Sequence, residues 1–284
     1  MLGESPVWLG DRDGLIWVDS LRGRIRYLAG GELDLGEKIG SVAPLAGGGL
    51  IAALEHRVVA LQSDRAVREI CRLRLPTTHR LNDGAVDPYG RFVFGSMNEE
   101  RDAPSAALYR LGFGGVEVLR DGLTLSNGID WSPDATTIYF TDSTAKRIFA
   151  AEYPADGGLR NERVFAEWSG PGMPDGLAVD AAGHVWSAIW DGSCLVRFAP
   201  DGDLVGQVDL PVPRPTSLAF GGAGLRAVYV TSARVGLSRP ALDRWPYSGA
   251  LLVGTLDAGG LASRRVRELP EKPSTFDGAV NQDG

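Results

Sequence analysis

A strand–turn–strand pattern recurs along this chain at a nearly constant interval. Residues 15–19, 50–53, 91–96, 137–142, 184–188 and 227–231 each have an aromatic or branched centre, and most follow a turn rich in Gly, Pro or Asp. Their centres, Trp17, Ile51, Val93, Tyr139, Trp186 and Tyr229, are separated by 34, 42, 46, 47 and 43 residues. Such a period marks a repeated β unit. A third strand-like run usually follows, as at 23–28, 57–61, 107–111, 147–151, 194–198 and 249–253. Long runs of helical period are absent. A unit of three or four strands cannot bury both faces alone, so neighbouring units must supply the core. The predicted fold is therefore all-β, a six-bladed β-propeller. A large β-sandwich is the competing architecture, but it does not require the same pattern to recur.

The chain has 284 residues, and no internal linker divides it. Residues 1–269 are expected to form one propeller domain and 270–284 a polar C-terminal tail. The segment 261–269 is the candidate outer strand of the last blade, because a ring of blades needs closure and an open edge invites association. The 38 Gly and 17 Pro favour tight turns over long helices. A net charge of −7 argues against nucleic acid or an anionic membrane as partner. No run approaches the length of a spanning helix, and residues 1–6 lack signal-peptide character. Cys71 and Cys194 read as two free structural thiols in a reducing, cytoplasmic setting.

The chemistry clusters at one step of the repeat. A small polar residue meets Gly or Pro and an apolar strand follows: Gly3-Glu4-Ser5-Pro6-Val7-Trp8, Leu81-Asn82-Asp83-Gly84, Ser126-Asn127-Gly128-Ile129 and Pro174-Asp175-Gly176-Leu177. Glu4, Asn82, Asn127 and Asp175 thus occupy nearly the same place in four repeats, and in a ring their oxygens converge near the axis. Glu4, Asn127 and Asp175 offer two carboxylates and an amide oxygen. Such hard donors suit Ca²⁺, Mg²⁺ or Mn²⁺, with Zn²⁺ also possible. Three ligands leave positions open for water and substrate. The plainer reading is turn chemistry, since Asn-Gly and Asp-Gly are common turn dipeptides, but Glu4 is no turn former. His56, His79 and His184 lack metal-ligand spacing, and there is no Gly-x-Ser-x-Gly elbow or phosphate loop. Trp190, before Asp191-Gly192, is a candidate for the channel mouth, although such a residue more often packs a core.

These motifs, in this order, resemble the regucalcin/gluconolactonase family. Arg80-Leu81-Asn82-Asp83-Gly84, Gly95-Ser96-Met97-Asn98-Glu99-Glu100, Phe220-Gly221-Gly222 and Tyr229-Val230-Thr231-Ser232-Ala233-Arg234 extend the likeness over nearly the whole chain. The resemblance implies a propeller that opens sugar lactones with one divalent metal. It assigns Glu4, Asn127 and Asp175 to the metal and Arg80, Asn82 and Glu100 to the substrate. It also makes Asp175 the proton acceptor. Family members usually carry a strand ahead of the Gly-Glu-Ser-Pro motif; here either the C-terminal segment replaces it or the true start lies upstream. The expected partner is a small sugar (aldono) lactone, without nucleic acid or membrane. Two alternatives stand beside this: a phosphotriesterase-type hydrolase using the same oxygen cage, and a non-catalytic calcium-binding propeller. The set Arg80, Asn82 and Glu100 suits a polyol better than an apolar ester.

Overall fold

Each repeat folds into a small antiparallel sheet whose first strand lies nearest the axis. The computed structural model describes residues 1–10, 13–62, 66–267 and 269–277. The inner strands are Gly3–Trp8, Ile39–Pro44, His79–Val86, Ser126–Trp131, Met173–Val179 and Pro215–Gly221. They touch one another in chain order, and the sixth returns to the first. The ring therefore closes as a six-bladed β-propeller. Blades one to five have four consecutive strands each, while the sixth has three, ending at Leu252–Thr255.

The core is divided among the seams between blades, as expected where one blade cannot bury both its faces. Ile16, Val18 and Ile25 of blade one meet Val42, Ala52 and Val59 of blade two. Phe92, Phe94 and Tyr109 of blade three meet Ile51 and Val58 of blade two. Trp131 and Phe140 of blade four meet Val93 and Leu108 of blade three. Burying one side chain of this size contributes about 1.5–3 kcal/mol. The seam between blades six and one is made differently. Trp8 stacks on Tyr229 with ring centroids 5.6 Å apart, and the Thr216 hydroxyl donates to the Gly3 carbonyl at 2.6 Å.

The first residues are tied on both sides. Leu2 forms an antiparallel bridge with Ala233 of blade six. Its N–H donates to Asp19 Oδ1 at 3.1 Å, and its carbonyl accepts from the Ser20 N–H at 2.8 Å. Asp142 does the same for Leu125 in blade four. In both blades a carboxylate at the end of the second strand fixes the chain just before the axial step.

Residues 261–267 differ from expectation. They do not form the outer strand of blade six. They cross the end of the channel, where 261–264 line the axial cavity with Asp83, Asp130 and Ser217. Val266 bridges Leu45 and is buried in the seam between blades two and three. The alternating pattern reads as a strand, but burial of Val266 and pairing of Arg264 with Asp130, 3.3 Å away, draw the segment under the ring instead. Within the expected tail, Ser274–Phe276 adds a parallel fifth strand to blade two, beside Val67–Leu73. Residues 278–284 lie outside the described set.

Candidate active site

In all six inner strands the pairing register slips within one residue of the same step: after Glu4, Ile39, Leu81, Asn127, Pro174 and Pro215. A β-bulge leaves a residue unpaired and re-aims its neighbour. Repeated around a ring, it turns four polar side chains toward one end of the channel. At Ser5 the bulge holds φ at 46°, a left-handed conformation uncommon outside glycine. Blade two contributes no polar side chain here because it has Gly40, where a Cβ would come within 2.3 Å of the Asn82 carbonyl oxygen. Blade three can therefore pack close against blade two.

The pocket at this end is lined by Glu4, Arg80, Asn82, Asn127, Asp175 and Arg101, and Ser143, Met97, Met173 and Trp190 form part of its wall. A hydrogen-bonded chain runs across it. Arg80 Nη1 donates to Asn82 Oδ1 at 3.0 Å, Asn82 Nδ2 donates to Asn127 Oδ1 at 2.8 Å, and Asn127 Nδ2 donates to Ser143 Oγ at 2.9 Å. This fixes the Asn127 amide with its oxygen toward Asn82, leaving that oxygen a second lone pair. Arg80 is also held by Glu99, with Nε to Oε1 at 3.1 Å, and Lys38 shares that carboxylate at 2.9 Å.

The acidic groups are in an unfavourable setting. Burial and then the neighbouring Asp175 and Asp83 push the Glu4 carboxyl well above its usual range, against a smaller pull from Arg80. Burial and Asp83 push Asp175 up as well, opposed by Arg101, Arg80 and a backbone N–H. Burial raises Asp83 to about 6, against hydrogen bonds from the Gly84 and Gly128 N–H groups. Among the described residues, Glu4 accepts no hydrogen bond from a protein group. Buried carboxylates this close are stable together when protonated or when a cation sits between them.

The donor set fits such a cation. Among the described residues no three or more His, Cys, Asp or Glu side chains could hold a metal by themselves. A metal here would rest on Glu4, Asp175 and the amide oxygen of Asn127. That is an all-oxygen set, suited to a hard divalent ion.

Of the residues singled out in the sequence, Glu4, Arg80, Asn82, Asn127 and Asp175 line one pocket, and Trp190 forms part of its wall. Glu100 is exposed and does not line it, while the neighbouring Glu99 holds Arg80. Sequence reasoning did not single out Arg101, Ser143 or Asp83. Arg101 and Ser143 sit in loops and carry no local pattern. Asp83 was legible, as the second residue of Asn-Asp-Gly, but reads as a turn former.

The model of the SMP-30/gluconolactonase/LRE-like region matches residues 2–234. The chain belongs to that family. It is 36% identical over 275 residues to a 6-deoxy-6-sulfogluconolactonase of Pseudomonas putida, covering 92% of this chain and 94% of that protein. It is 36% identical over 240 residues to a pentonolactonase of Haloferax volcanii, covering 82% of this chain and 81% of that one. Among solved structures it superposes on the calcium-binding protein regucalcin of Agrobacterium tumefaciens with a TM-score of 0.88, at 26% identity and with 94% of each chain covered.

Proposed function

We propose that this protein is a divalent-metal-dependent hydrolase that opens sugar lactones to sugar acids. The observation that carries the reading is the facing pair of carboxylates, Glu4 and Asp175, with the oriented Asn127 amide in the same pocket. Relatives named as sugar lactonases at 36% identity over most of the chain support it.

A bound cation would supply Lewis acidity for the lactone carbonyl. The remaining chemistry is assigned to the chain's own side chains. Arg80 and Asn82, held rigidly by Glu99 and Asn127, orient the sugar ring through its hydroxyls. Asp175 accepts a proton from the attacking water as its oxygen bonds to the carbonyl carbon. The ring C–O bond then breaks, and the departing oxygen takes a proton back from the Asp175 carboxyl. The products are a carboxylate, a free hydroxyl and one released proton. Glu4 contributes charge rather than proton transfer, since among the described residues no donor orients it. Met97, Met173 and Trp190 supply apolar surface to the pocket wall.

A pH-indicator assay over a panel of aldonolactones, with and without chelator, tests this. Hydrolysis that chelator removes and added divalent metal restores is the expected result. Failure to hydrolyse any member would overturn the proposal.

A further inference from the structure

Arg101 is the one exposed residue among the polar groups that line the pocket; the others are buried or half-buried. It sits in a tight turn, where its N–H donates to the Asn98 carbonyl at 3.1 Å and its φ is 56°. A non-glycine residue is held in that conformation only where its surroundings require it. The side chain lines the pocket with Asp175, and its positive charge favours the ionised form of that carboxyl.

Three other basic groups at this end of the ring are matched by carboxylates. Arg80 pairs with Glu99, and Lys38 with Glu99 and Glu55. Arg214, stacked on Trp190 at 4.9 Å, pairs with Asp191 at 2.6 Å. Arg101 makes no ion pair or side-chain hydrogen bond among the described residues. This guanidinium therefore lines the pocket without an ion-pair partner among the described residues. A planar fork of N–H donors is suited to two anionic oxygens.

We infer that Arg101 binds an anionic substituent on the part of the substrate farthest from the lactone carbonyl, so that the preferred substrates are acidic aldonolactones carrying a carboxylate, sulfonate or phosphate. This rests on the lactonase reading. The reacting carbonyl lies deep, beside Asp175, and the charged tail lies at the mouth beside Arg101. An exposed guanidinium selects through charge as well as contact, so the preference weakens with salt.

The test compares kcat/KM for lactones that differ only at the terminal carbon, bearing hydroxymethyl, carboxylate, sulfonate or phosphate. The native enzyme should prefer at least one anionic member over the neutral one by about tenfold or more, the usual value of a charge-assisted hydrogen bond. Arg101→Gln should collapse that ratio, mainly through KM, and Arg101→Lys should restore part of it. The arms also identify which anion is preferred. Hydrolysis with no anionic preference, or a preference unchanged in Arg101→Gln, overturns this inference alone. Hydrolysis of no lactone overturns it together with the lactonase reading.

Discussion

The Asn82 amide donates to Asn127 Oδ1 across 2.8 Å. One side chain belongs to blade three and the other to blade four. The resemblance assigns the first to substrate and the second to metal. The contact therefore joins the two halves of the proposed site, and Arg80 and Ser143 extend it at either end.

Asp175 is expected to be indispensable. Asp175→Ala removes one of two carboxylates and the proposed proton acceptor. Lactone hydrolysis should fall by about a thousandfold, within the 10²–10⁴-fold range of acid–base catalysis alone, and by more than that range if metal binding is lost with it. Calorimetric titration should show weakened divalent-cation binding in parallel. Full activity in this variant would refute the assignment.

Ser143 should act without touching substrate. Its hydroxyl fixes the Asn127 amide by accepting from Nδ2 at 2.9 Å. Ser143→Ala frees that amide to rotate. Supporting groups of this kind typically carry about 10–100-fold in metal affinity or activity. The expected outcome is a loss in that range that excess metal partly rescues, with unchanged circular dichroism. A loss that metal does not rescue would point to a purely structural role.

The pH dependence of stability follows from the crowded carboxylates. Burial raises the folded-state values of Asp83, Glu4 and Asp175 above those of the unfolded chain, Asp83 to about 6. Between about pH 4 and 6 the metal-free fold then holds more protons than the unfolded chain, so its stability falls as pH rises. Asp83 alone corresponds to about 3 kcal/mol. Thermal melts of chelator-treated protein should give a higher Tm near pH 5 than near pH 7.5. Added divalent metal should raise Tm more at the higher pH. A metal-free Tm that climbs across this window would contradict the argument.

The propeller was legible because its cause is local and repeated: a turn, then an aromatic-centred strand, six times over. The pocket was legible for the same reason, since Glu4, Asn82, Asn127 and Asp175 occupy one step of that repeat. What was not legible depends on the chain's path through space. Glu99 and Glu100 are adjacent, and only the turn geometry decides that Glu99 reaches Arg80. Ser143 follows the end of a second strand and meets Asn127 only once both strands are folded. Residues 261–267 alternate like a strand, yet Val266 finds its burial under Leu45 rather than on the edge of blade six.

That segment leads to the last prediction. Asp130 lines the axial cavity, where it accepts from the Trp131 and Val179 N–H groups at 2.8 Å each. Burial raises its carboxyl, and Arg264 is the largest opposing influence, with Nη1 3.3 Å from Oδ1 and the guanidinium 5.6 Å from the Trp131 ring centre. Arg264→Ala leaves that carboxylate without its cation and loosens the crossing of the C-terminal segment. The pair is partly exposed, so the cost should be about 1–3 kcal/mol, or roughly 2–10 °C in Tm for a domain of this size. Without Arg264 the folded-state value of Asp130 rises further, and the unfavourable charged form accumulates as pH rises. The deficit should therefore be larger at pH 8 than at pH 5, and Arg264→Lys should recover part of it. Lactone turnover at 25 °C should be little affected, because Arg264 lines the axial cavity and not the pocket of Glu4 and Asp175. A variant as stable as the native protein at both pH values would show that the segment does not hold this end of the ring.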